Sequence, residues 1–116
     1  MRLKSSIWVS AYIRRCGIDN IPVMVMRRGA DAAGAIFIKI NKLDGSVIMF
    51  GPAPQTSFED EGTGRYWMPL KGGEPLLEPD ADKLLERETK FDPDIWILEV
   101  EDRKGRDFLG DERIDG

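Results

Sequence analysis

The sequence predicts an α+β fold: a mainly antiparallel sheet of about five strands with two helices, in the order α-β-β-β-β-α-β. Three observations carry this. Runs rich in β-branched residues at 22–27, 35–41 and 46–50 have strand length and are bounded by turn residues. Two other segments, about 6–16 and the stretch between Pro79 and Pro93, repeat their apolar residues at helical spacing and carry helix punctuation. The 116 residues are 41% hydrophobic and 33% charged, too apolar for a disordered chain; a folded chain of this size buries about two-thirds of its extended surface. A single α+β domain is expected over 1–109, with a frayed tail over 110–116.

Ser5 or Ser6 is expected to cap the first helix, with Arg14 and Arg15 in its last turn and Gly17 as its stop. Its apolar arc includes Trp8, Val9, Ala11, Tyr12, Ile13 and Cys16, wide enough for contact on more than one side. Pro22–Arg27, Ala35–Asn41 and Ser46–Phe50 read as an antiparallel meander. Gly29–Gly34 links the first pair, and Lys42-Leu43-Asp44-Gly45 makes a hairpin of the second. Residues 51–64, with two Pro, three Gly and an acidic cluster, read as an exposed mobile loop. Arg65–Leu70 reads as a short strand closed by Gly72-Gly73.

In the second helix Pro79 lies near the first turn, Asp80 and Asp82 sit at the positive end of the dipole, and Pro93 follows the end. Ala81, Leu84, Leu85 and Phe91 form its apolar stripe. Asp82, Glu86 and Lys90 form a solvated face. In Asp94–Asp102, Trp96, Leu98 and Val100 alternate with Ile95, Ile97, Glu99 and Glu101. Several strands are apolar on both faces, so a sheet covered by two helices on one side needs a second cover: helix one wrapped to that side, or another copy of the chain. A two-fold homodimer is the expectation.

With no His, the Ser-His-Asp and Cys-His mechanisms are unavailable. Cys16 is the only cysteine, which fits a reducing compartment, excludes an internal disulfide or Cys-rich zinc site, and reads as a buried small hydrophobe. Arg2 and Lys4 before Ile7–Ile13 imitate a secretory signal, but Ser10 interrupts the apolar run and Arg14-Arg15 ends it. No run approaches the roughly 18 apolar residues of a membrane span, and a cytoplasmic location is expected. Residues 1–58 hold eight Lys and Arg against three Asp and Glu, net +5; residues 59–116 hold nine against eighteen, net −9. The basic residues come in pairs rather than clusters, and the overall −4 opposes nucleic-acid binding.

No metal or cofactor is expected, because no recognised ligand spacing occurs. Gly62-Thr63-Gly64 before Arg65 imitates a phosphate cradle but lacks the following Lys-Ser/Thr, and reads as a turn. Asp92 and Asp94 break a helix into a strand; Glu99 and Glu101 are placed to pair with Arg27, Arg28 or Lys39. The candidate binding residues are Arg27, Arg28, Arg65, Trp67 and Asp94. Arg65, Tyr66 and Trp67 are singled out because Arg and Trp dominate interface hot spots, although Trp67 also reads as core.

Arg27-Arg28-Gly29 to Ala33-Gly34-Ala35, Leu43-Asp44-Gly45, and Asp92-Pro93-Asp94-Ile95-Trp96 followed by Glu99-Val100-Glu101-Asp102-Arg103 resemble a family of short alphaproteobacterial proteins known as domain of unknown function 1491. The likeness extends to about Leu109. It implies a stand-alone cytoplasmic bacterial domain with no assigned activity, and so supplies no catalytic residues to carry over. The first functional reading is a non-catalytic interaction module, acting as a homodimer, that engages a protein or small acidic ligand through the 51–64 loop and the Arg27, Arg28 and Arg65 neighbourhood. A small-molecule or nucleotide-binding regulatory domain is the alternative, and a carboxylate-dependent enzyme comes third.

Overall fold

The computed structural model describes residues 2–54 and 64–115. Helix α1 (Ser5–Gly17) is followed by strands β1 (Val23–Arg27), β2 (Ile36–Asn41), β3 (Ser46–Pro52) and β4 (Trp67–Pro69). A two-residue β5 (Leu76–Leu77), helix α2 (Glu78–Phe91) and β6 (Trp96–Glu101) complete the set. The α+β class and the expected order are present, with β5 added. Of the expected loop, Gly51 and Pro52 belong to β3, and residues 55–63 lie outside the described residues.

Strand order is β1-β6-β2-β3-β4, with β5 on β3. The β2–β6 pair is parallel, with Ile38 opposite Leu98, and the other pairs are antiparallel. The expected three-strand meander is therefore corrected: only β2 and β3 form a hairpin, and β6 lies between β1 and β2. The cause is apolar demand. Ile95–Val100 places apolar side chains on both faces and is best satisfied in the middle of the sheet. The hairpin turns as expected, with Leu43 (φ 63°) and Gly45 (φ 90°) left-handed. The Asp44 carboxylate accepts hydrogen bonds from the Ser46 N–H at 2.9 Å and hydroxyl at 2.6 Å.

Each face has its own core. On one, Trp8, Tyr12 and Cys16 of α1 pack on Ile36, Ile38, Ile40, Trp96, Leu98 and Val100. Trp8 stacks on Tyr12 with centroids 4.8 Å apart and meets Trp67 at 4.1 Å. On the other, Ala81, Leu84 and Leu85 of α2 cover Phe37, Val47, Met49 and Ile95. One helix on each side means that the chain covers both faces itself, so the uncovered face from which a second copy was argued does not exist. Phe91 departs from the expected stripe and is 89% exposed, because it is the last residue of α2, where the chain turns away at Asp92.

Two end expectations are also corrected. Lys4, not a serine, precedes α1, and no side chain caps it. Its first N–H groups, on Ser5 and Ser6, donate to the Ala32 and Asp31 carbonyls at 3.1 and 3.0 Å. Gly17 ends α1 as expected, and Asn20, three residues further on, has a positive φ of 59°. The tail is not frayed over 110–115: Ile114 N–H donates to the Trp67 carbonyl at 2.8 Å, and the Glu112 carboxylate accepts from the Trp8 indole at 2.9 Å and Arg15 at 3.1 Å.

The 28–35 segment stitches these parts together. Ala30 N–H donates to the Asp94 carbonyl at 2.9 Å, and the Trp96 indole donates to the Ala30 carbonyl at 2.8 Å. A Cβ on Gly34 would lie 2.5 Å from the Asp94 carbonyl oxygen, while at Gly17 there is open space. Gly34→Ala is expected to cost about 2 kcal/mol or more in urea denaturation, whereas Gly17→Ala leaves stability unchanged or raises it by up to about 1 kcal/mol. Equal effects would contradict the close approach.

Buried Asp102 accepts from Arg106 Nε at 2.8 Å and from the Arg106 and Lys104 N–H groups at 2.9 and 3.3 Å. These bonds, the Arg106 side chain foremost, outweigh burial and hold its pKa below the ordinary 3.8. The depressed value makes its contribution complete above pH 3.8 and lost as pH falls through the folded value. Acid unfolding of Asp102→Asn should be less steep below pH 3.8 than that of the wild type.

Candidate functional site

Lys39 is the chemically distinctive group of the α2 face. Alternation along β2 places Phe37, Lys39 and Asn41 beneath α2, and the parallel register sets Lys39 opposite Glu99. The Lys39 ammonium lies 3.2 Å from Glu99, 3.1 Å from Glu78 and 3.2 Å from Asp82. The Asn41 amide donates to Glu99 at 3.3 Å and Glu78 at 3.4 Å. Lys39 and Glu99 are buried, 5% and 6% exposed, while Glu78 and Asp82 reach solvent. Burial alone would lower the Lys39 pKa, but the hydrogen bonds it donates to Glu78, Glu99 and Asp82 outweigh it and hold the ammonium above its ordinary value. A charged ammonium carries no free electron pair, so Lys39 orients and neutralises and does not attack.

Beside this cluster, between α2 and β1, opens a cleft of about 310 Å³ lined by Met26, Arg27, Leu85 and Ile97 together with Lys39 and Glu99. Its outer wall is β1, the sheet edge. The Pro22 carbonyl accepts from Glu101 N–H at 3.2 Å. By antiparallel alternation Met24 continues that ladder, and Val23 and Val25 turn their N–H and C=O groups outward. Met24, Val25 and Met26 are 43%, 42% and 57% exposed. A bulge falls between Val25 and Arg27.

The residues expected from sequence fall into two groups. Arg27, Arg28 and Asp94 come together around the 28–35 segment. Arg27 donates to the Pro93 carbonyl at 2.7 Å, Arg28 lies 5.0 Å over the Trp96 ring, and the Asp94 carbonyl receives Ala30. Arg65 and Trp67 are instead buried on the α1 face, each 2% exposed. Arg65 donates to the Leu3 carbonyl and Ser5 hydroxyl at 2.8 Å and to the Ala32 carbonyl at 3.2 Å. Burial, then Arg2, lowers its pKa to about 10, so it stays cationic at neutral pH. The Trp67 indole donates to the Ile36 carbonyl at 2.9 Å.

Asp92 and Asp94 make the expected helix-to-strand turn, with Asp94 N–H on the Asp92 carboxylate at 3.0 Å. Burial pushes the Cys16 thiol up to about 11, leaving it protonated and inert. Among the described residues no group of three His, Cys, Asp or Glu is arranged to hold a metal. Sequence reasoning named Lys39 only as one possible partner of Glu99; a lysine inside Ile-Phe-Ile-Lys-Ile-Asn was the available signal.

Lys39→Met strands the buried Glu99 carboxylate, and we expect a loss of about 3–5 kcal/mol in urea denaturation. The double variant Lys39→Met with Glu99→Leu should recover most of it. A single variant of wild-type stability would show that the pair is not coupled.

A family model described as protein of unknown function (DUF1491) matches residues 3–110. No curated protein matches the chain. The crystal structure of a DUF1491 family protein from Caulobacter crescentus CB15 superposes with a TM-score of 0.79 at 35% identity, covering 99% of this chain and 100% of that one. An NMR structure of a DUF1491 family protein from the same organism gives 0.79 at 36%, covering 99% of each. The solution structure of protein Atu0922 from A. tumefaciens gives 0.78 at 38%, covering 100% of this chain and 98% of that one. The segments around Arg27-Arg28-Gly29 and Asp92-Pro93-Asp94, which meet in the fold at the start of β6, thus lie in a chain that belongs to the DUF1491 family.

Proposed function

We propose that this protein is a non-catalytic interaction module of the cytoplasm that works as a homodimer, pairing edge to edge through β1. The open, apolar edge of β1 carries the reading. Edge strands are ordinarily protected by charge, by shortness or by a cover, yet Met24, Val25 and Met26 are consecutive, apolar and exposed. A two-fold axis at Val25 sets Val25 against its own copy and Met24 against Met26. Arg27 then meets Val23, so no like charges oppose one another. The outward N–H and C=O of Val25 exchange both hydrogen bonds in such a pair. Arg27 and Arg28 stand at the margins of this five-residue pairing.

The non-catalytic part of the reading is supported by the charges themselves. Lys39, Glu99, Glu78 and Asp82 are engaged with one another, and Arg27 and Arg65 with backbone carbonyls. Buried, protonated Cys16 supports a reducing compartment.

Sedimentation equilibrium tests the dimer. Wild-type protein should approach twice the chain mass with rising concentration, and Val25→Lys should raise the dissociation constant at least about tenfold while leaving thermal stability near wild type. A wild type that stays monomeric at ~100 μM (a Kd near this value corresponds to only about −5.5 kcal/mol) overturns the proposal, as does a Val25→Lys variant that dimerises equally well.

A further inference from the structure

The flank of α2 turned toward β5 bears a second groove, of about 550 Å³, on the side away from the Lys39 cleft. Its floor is apolar: Leu84 is buried and Leu76 half-buried. Its rim is cationic. Lys83, Arg87 and Lys90 follow one another along α2, and Lys71 stands on the opposite bank, held with φ 55° in the turn before β5. Asp80 and Glu86 are the acids at this groove, and Glu86 is engaged with Lys90 at 3.6 Å. Among the described residues, Lys71, Lys83 and Arg87 have no acidic partner within ion-pair distance. A groove with four cations against two acids, on a chain of net charge −4, inverts the sign of the molecule around it.

We infer that this groove is a docking site for an extended, acidic and apolar segment of a partner protein. The spacing fits such a segment. Lys83 and Arg87 are separated by about 6 Å along the helix axis at a rise of about 1.5 Å per residue. Carboxylates at alternate positions of an extended chain are about 6.6 Å apart. The side chains between them point to the other side, toward Leu76 and Leu84, where apolar groups are shielded from water. A nucleic-acid backbone meets the cations equally well but has nothing to set against a leucine floor. The net negative charge of the rest of the chain repels a long polyanion. Neither the β1 edge nor the buried Lys39 pair takes part, so this inference stands apart from the proposed dimer.

Fluorescence anisotropy with the full chain and a labelled peptide of four Glu-Leu repeats tests it. Saturable binding is expected, weakening as salt is raised from about 50 to 500 mM because the Debye length shrinks several-fold. Lys83→Glu with Arg87→Glu, and separately Lys71→Glu off the helix, should each weaken binding at least about tenfold, a loss of about 1.4 kcal/mol. These side chains are exposed, and unchanged melting temperatures will show that the variants fold. A Glu-Ser repeat should bind more weakly than Glu-Leu, and Val25→Lys should bind as wild type does. The inference is overturned by the absence of saturable binding, by equal binding to the charge-reversed variants, or by single-stranded oligothymidylate binding more tightly than the peptide.

Discussion

The placement of β6 governs this fold. Trp96–Glu101 is the last strand made, yet it enters the sheet between the first two. Its parallel pairing with β2 requires a crossover, and α2 is that crossover, so α2 must lie on one face of the sheet. Its insertion also separates β1 from β2 and leaves β1 at the rim. With one face taken by α2, the apolar residues of α1 have only the other to cover, which is where Trp8, Tyr12 and Cys16 pack. Three features follow from one pairing: the layers, the open edge, and the close approach of Gly29 and Gly34 to the backbone at Asp94 and Ile95.

The same pairing explains a charged pair inside the α2 core. Lys39 and Glu99 occupy corresponding positions on parallel neighbours and point to the same face. Aliphatic residues there would also fill the space, and buried ion pairs are seldom stabilising relative to such replacements. What the pair adds is direction. Glu78 and Asp82, one helical turn apart, both meet the Lys39 ammonium, and this fixes the rotation of α2 about its axis. A helix seated only on Ala81, Leu84 and Leu85 has a narrow apolar contact whose register is weakly determined.

Local order was legible in the sequence and long-range order was not. Both helices, the Asp44-Gly45 hairpin and the alternation of Trp96, Leu98 and Val100 were read from spacing and turn chemistry, which act over a few residues. The meander failed because hydrophobic periodicity says which strands are doubly buried but not which of them lies in the middle. Arg65 drew attention as a binding residue beside Trp67, and its true neighbours, Leu3, Ser5 and Ala32, are remote in sequence. The tail read as frayed because its composition is polar, while Leu109 and the bonds of Glu112 and Ile114 anchor it to α1 and β4. Of the candidate site, Glu99 with Lys39 was visible as a possible pair, whereas the exposed edge became visible only with the strand order.

Covering both faces of the sheet changes what association can mean for this chain. Stacking a second sheet on the first, the natural use of a bare face, is closed by α1 on one side and α2 on the other. Among the described residues, the rim at β1 and the outer flanks of α2 remain available, surfaces that core packing does not consume. An edge pairing of five residues per chain rests mainly on backbone hydrogen bonds and a few apolar contacts, so it buries far less than the roughly 1,600 Å² of a standard interface. Contacts of that size respond to concentration and exchange readily. A small module with covered faces and an open edge is therefore suited to reversible pairing, and the ion pairs of Lys39 with Glu78, Asp82 and Glu99 orient α2 on the sheet.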